Sequence, residues 1–112
     1  MSNITFTTKA IESSFGTFEQ EAWEIYGYQL LRTIKIDAPE EPADWRVRTP
    51  NGAPTLDNMN YLIVPRDGVD YGVNWSAMGT RTTADARTYG IQLLHAAEAA
   101  EAFTKIRNDY PA

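Results

Sequence analysis

Between Tyr71 and Tyr110 the hydrophobic period changes once, from two residues to about 3.6, and this restricts the chain to folds in which a strand runs directly into a long helix. Tyr71, Val73 and Trp75 fall on one face of the strand, with Gly72, Asn74 and Ser76 on the other. Gly79 breaks the strand. Thr82, followed three residues later by Asp85, makes a capping-box-like helix start in which the shorter Asp replaces the usual Glu. The helix is predicted over about 83–109, roughly 40 Å at 1.5 Å per residue, whereas a compact domain of this length is about 34 Å across. Its C-terminal end is therefore expected to overhang, bend or dock.

Along that helix Ala86, Tyr89, Gly90, Leu93, Ala97 and Ala100 align in a stripe whose small members suit close packing on a sheet, which makes it the expected core face. Ile91, His95, Ala99, Ala102, Phe103, Ile106 and Tyr110 form a second, drifting stripe roughly opposite. A helix covered on one side has no use for a second stripe. Ile91, His95, Phe103, Ile106 and Tyr110 are therefore the candidate partner-binding residues, expected in a homodimeric or heteromeric contact.

Upstream the signals are those of strands. Residues 3 to 11 alternate loosely, with Ile4, Phe6 and Thr8 on one side, and end at the turn-forming Ser13-Ser14-Phe15-Gly16. Thr17 to Ile36 admits two interpretations. Phe18, Ala22 and Tyr26 recur every fourth residue as in a helix, but Trp23, Ile25, Tyr28, Ile34 and Ile36 suit strands, and Gly27 sits where a hairpin would turn. Two strands, about 17–26 and 28–36, are the favoured outcome. Four of the six prolines, at 39, 42, 50 and 54, fall with Asn51-Gly52 in the loop-rich segment 37–60. Within it Trp45-Arg46-Val47-Arg48 reads as a short edge strand with Trp45 and Val47 inward. Tyr61–Val64 and Val69–Val73 flank a Pro65-Arg66-Asp67-Gly68 turn, a hairpin with clear turn chemistry. The expected fold is α+β, an antiparallel sheet of about five strands covered by one long C-terminal helix, in a single domain 1–112.

Composition narrows the chemistry. With 43% hydrophobic and 22% charged residues, three Trp, six Tyr and four Phe, the 112-residue chain reads as one globular domain. It has no cysteine, which removes disulfides, thiolate zinc sites and cysteine nucleophiles and suits a reducing, cytoplasmic setting. No signal-like N-terminus and no membrane-length apolar run is visible. The net charge of −5 weighs against phosphate binding, which is driven by clustered Lys and Arg. His95 is the sole histidine, and only Glu98 lies at ligating distance along the helix, so no metal is expected. Glu98 and Glu101 share a solvated face with Lys105. Ser76 lacks a nucleophile elbow, the glycines match no nucleotide-binding spacing, and Asp67 is accounted for by the turn. No catalytic residue, cofactor or metal site is expected. The one basic constellation is Arg46 and Arg48 beside Trp45, with Arg32 and Lys35 on a neighbouring strand. Basic residues alternating with aromatics across a sheet are the alternative, nucleic-acid-binding possibility.

The run Gly72-Val73-Asn74-Trp75-Ser76-Ala77-Met78-Gly79, with Thr82-Thr83-Ala84-Asp85-Ala86-Arg87 and Leu93-Leu94-His95-Ala96-Ala97-Glu98-Ala99-Ala100-Glu101, resembles the C-terminal half of small uncharacterised proteins of actinobacteriophages and their hosts. The resemblance covers about a third of the chain, is compositional, and carries over no functional residue. It implies an accessory product of the host cytoplasm, often of a kind that acts on a host protein. More faintly, the strands followed by a helix resemble the arm-binding domains of tyrosine integrases, from which the acidic balance departs. The expected function is a non-enzymatic protein-binding module, with a nucleic-acid-binding sheet as the alternative and a small-molecule enzyme third.

Overall fold

The computed structural model describes residues 3–49, 60–76 and 79–111. Pro50, Asn51-Gly52 and Pro54 of the proline-rich segment, and Ala77-Met78 after the last strand, lie outside them. The order is β1 (Ile4–Ser13), β2 (Gly16–Ile25), β3 (Tyr28–Lys35), β4 (Arg46–Arg48), β5 (Asn60–Arg66), β6 (Asp70–Ser76) and α1 (Thr83–Asp109). The fold is α+β with antiparallel sheets and one long C-terminal helix, and the strands divide into a four-stranded sheet, β1-β2-β3-β4, and a two-stranded sheet, β5-β6.

Local chemistry sets the hairpins. The segment 17–36 is the β2–β3 hairpin, and its two-residue turn has positive φ at both Tyr26 (50°) and Gly27 (82°), the handedness that matches strand twist. Asp67 and Gly68 repeat this pattern, with φ of 44° and 74°, between β5 and β6. Thr82 caps α1 as its sequence position implies: its Oγ1 accepts a 3.1 Å hydrogen bond from the Asp85 N–H.

Pairing fixes the faces of the large sheet. Phe6 lies opposite Trp23, Trp23 opposite Leu30, and Leu30 opposite Val47, so these four share one face. Lys9, Lys35, Arg46 and Arg48 fall on the other. The core is built on the first face, where Ile25, Tyr28, Leu30 and Trp45 join Tyr61, Ile63 and Tyr71 of the hairpin and the buried side of α1.

The helix faces differ from expectation. Its buried residues are Tyr89, Ala96, Ala99, Ala100, Phe103 and Ile106, which draw on both expected stripes and include Ala96 from neither. Ala86 and Ala97, expected in the core, are exposed. A Cβ at Gly90 would meet nothing within 4 Å, so this glycine permits no close approach. The physical reason is that α1 packs on β6 and β5 and also touches β2. Contact with two sheets requires one broad apolar arc in place of two opposed stripes. Thr104 ties helix to hairpin: its hydroxyl donates to the Ala100 carbonyl and accepts from the Tyr71 N–H, both at 2.9 Å.

Length is absorbed by docking. The molecule measures 53 × 30 × 27 Å, longer than its helix, and its radius of gyration of 16.3 Å exceeds the roughly 13 Å of a compact chain this size. The C-terminal end of α1 is held by the large sheet. Trp45 Nε1 donates to the Tyr110 carbonyl at 2.6 Å, and Arg32 Nη1 donates to the Tyr110 and Pro111 carbonyls at 3.1 and 3.0 Å.

Candidate functional site

The expected partner stripe is split by the fold. Phe103 (0% exposed) and Ile106 (8%) are buried in the chain's own core and present nothing to a partner. The buried arc lies further round the helix than its row of small residues implies, and it takes in both side chains. Ile91 is 55% exposed, His95 is exposed, and Tyr110 is 51% exposed at the docked end. Leu94, which the stripe count omitted, is 65% exposed three residues after Ile91, on the same side of the helix. Once the buried arc is centred on Phe103 and Ala96, the helical period alone puts Leu94 outside.

Beside this pair His95 stacks on Tyr26 of the β2–β3 turn, with ring centroids 5.5 Å apart. The neighbouring Glu98 carboxylate, as hydrogen-bond acceptor and as charge, raises the Tyr26 phenol above its ordinary pKa. The turn thereby buttresses the helix next to its exposed apolar residues. Further along, Tyr110 belongs to an aromatic row. Phe6 packs on Trp23 at 4.7 Å between centroids, and Trp23 on Tyr110 at 6.0 Å. Phe6 remains 46% exposed at the sheet margin.

The basic constellation divides between the two faces. Arg32 lies on the covered face, paired with Glu21 at 2.7 Å and with its guanidinium 4.3 Å from the Trp45 ring centroid. Through the Tyr110 and Pro111 carbonyls it also holds, Arg32 acts as a latch on the chain just past α1, where positive charge suits the helix dipole. Trp45 is 7% exposed and its N–H is taken. Arg46 and Arg48 point out from the opposite face. The alternation that placed aromatics beside arginines in the sequence thus separates them in space, and Arg32, Trp45, Arg46 and Arg48 form no common surface.

A cavity of about 700 Å³ lies between β4, the β5–β6 turn and the helix end, lined by Trp45, Val47, Pro65, Tyr71 and Arg107 among others. Burial raises the Tyr71 phenol, an effect partly offset by the charge of Arg107. Among the described residues no group of three or more His, Asp or Glu side chains is placed to hold a metal ion. Among them, too, no helix is long and apolar enough to cross a membrane. Comparison with protein families, with curated proteins and with solved structures returns no match.

Proposed function

We propose that the chain is a protein-binding module whose contact surface is the outer side of α1 around Ile91 and Leu94. The observation that carries this reading is that two large apolar side chains, each more than half exposed, lie about one turn apart on a helix whose opposite side is fully used. Arg87, Glu98, Glu101 and Lys105 share the exposed side and supply a polar rim, the arrangement of a small apolar anchor surrounded by solvated charge. His95, steadied by Tyr26, borders it. The resemblance of the C-terminal third to phage accessory proteins agrees with such a role, in which a phage product modulates a host protein in the host cytoplasm. The separation of Arg46 and Arg48 from the aromatic residues weakens the nucleic-acid alternative.

The test compares proteins captured from an actinobacterial lysate by the wild type and by Ile91→Glu/Leu94→Glu, with circular dichroism to show that both are folded. A partner held by the wild type and lost by the variant is the expected result. Equal capture by both, or retention of nucleic acid alone, would refute it.

A further inference from the structure

The large sheet has one long margin that no described strand covers. β1 pairs with β2 through ten consecutive residue pairs with no bulge, contains no proline, and is exposed along its length apart from the half-buried Ile11. Natural edge strands are normally shortened, kinked or heavily charged against strand addition. Here the central charge is the single Lys9, with Glu12 near the end.

The direction of the free main-chain groups follows from pairing. In an antiparallel ladder, alternate residues exchange both backbone bonds with a given neighbour. The Tyr26 N–H donates to the Asn3 carbonyl at 3.1 Å, so the odd-numbered residues of β1 turn their backbone groups toward β2. Those of Phe6, Thr8, Ala10 and Glu12 point away from the sheet. Their complement is another extended strand.

We infer that this margin pairs with β1 of a second copy of the chain, antiparallel about a twofold axis at Thr8, so that two four-stranded sheets become one continuous sheet. The occupant follows from the strand's own symmetry. With Thr8 opposite Thr8, Phe6 lies opposite Ala10 of the second copy, a large residue against a small one, and Lys9 lies opposite Thr7. All of these pairs keep matching faces, because directly opposed residues point to the same side. Moving the axis one residue to Lys9 sets two lysines directly against each other, which is destabilising in a cross-strand pair. Axes at Thr8 and at Lys9 overlap the two copies of β1 most fully, and of these two the charge pattern selects Thr8. This pairing is made by the backbone of β1 and uses no residue of the proposed helix surface.

The experiment uses the absence of native cysteine. In the selected register the Thr8 pair is hydrogen-bonded, with Cα atoms about 5.5 Å apart, a separation within disulfide range. Thr8→Cys should cross-link to a covalent dimer under mild oxidation, and Thr7→Cys, which leaves Lys9 in place, should not. Sedimentation should find the wild type and Ile91→Glu/Leu94→Glu dimeric. Thr8→Pro removes an N–H that β2 does not use and should weaken dimerisation by roughly tenfold or more with an unchanged circular dichroism spectrum. If Thr8→Pro fails to fold, the cross-linking pattern decides. A wild type that stays monomeric at millimolar protein, a folded Thr8→Pro that dimerises as tightly as wild type, or preferential cross-linking at Thr7→Cys would overturn the inference. The helix-surface double variant losing its captured partner while remaining dimeric keeps the two tests separate.

Discussion

The two margins of the large sheet solve the same problem in opposite ways. β4 is three residues long, carries Arg46 and Arg48 on its outward positions, and lies against β5. β1 is ten residues long and, among the described strands, pairs with β2 alone. Inward-pointing groups differ as well, because Trp45 and its neighbour Arg32 are committed to the helix end, whereas Phe6 remains half exposed. One margin closes the fold and the other leaves it extensible. A sheet can therefore be monomer-like at one edge and assembly-competent at the other, with the difference written in strand length and charge.

The sharpest way to break this contrast is at Trp45. Trp45→Ala should cost about 3–5 kcal/mol, the range for deleting a large buried aromatic, while Phe6→Ala at the open margin should cost roughly 1 kcal/mol for its partly buried ring. Urea denaturation of both, under conditions where the chain is monomeric, would show whether the margins differ in this order. Next in size is Arg32→Met, which leaves Glu21 without its cation and takes the guanidinium from the Tyr110 and Pro111 carbonyls. Hydrogen bonds to charged groups contribute about 1.5–3 kcal/mol, and the loss should appear as a lower urea midpoint with an unchanged slope.

A smaller effect belongs to the covered side and depends on pH. Burial raises Tyr61 and Tyr71 above the ordinary tyrosine value of 10.0. The folded state therefore keeps these protons longer than the unfolded chain. Their contribution to stability is intact below pH 10 and is lost as pH rises from there through the folded-state values. Denaturation series across that window should show the decline, and Tyr61→Phe should make it shallower. The smallest change is Arg46→Glu with Arg48→Glu, expected within about 0.5 kcal/mol of wild type because exposed charges contribute little to stability. A larger loss would mean that β4 is held by its arginines and not by Trp45.

What the sequence disclosed was local. The Thr82 cap, the Asp67-Gly68 turn and the three-residue strand at Val47 depend on neighbours within a few positions, and each is where its pattern put it. Even the ambiguous 17–36 segment was decided by Tyr26-Gly27, since a turn with two positive φ values ends any helix. What was not legible depends on order in space. The alternation in Ile4-Thr5-Phe6 identifies a strand, but its place at the margin follows from which strands pair with which. The helix arc was misjudged for a similar reason, because Phe103 and Ile106 are apolar in either orientation and only the position of the second sheet decides which way they face. Arg32 reads in the sequence as part of a basic, nucleic-acid-binding constellation, and nothing near it announces the carbonyls of Tyr110 and Pro111.

That latch bears on the order of events in folding. β1, β2 and β3 form successive tight hairpins and can pair without help from the rest of the chain. The bond from Trp45 to Tyr110 joins residues 65 positions apart, and that from Arg32 to Pro111 joins residues 79 apart. Closing such loops carries an entropy cost that must be met before the contact is rewarded. The latch should therefore be absent from the transition state, and weakening it by Trp45→Phe should quicken unfolding while leaving the refolding rate almost unchanged. Chevron analysis showing mainly slowed refolding would place the latch in the nucleus instead. On this account Trp45 and Arg32 govern how long the helix, once seated, stays in place.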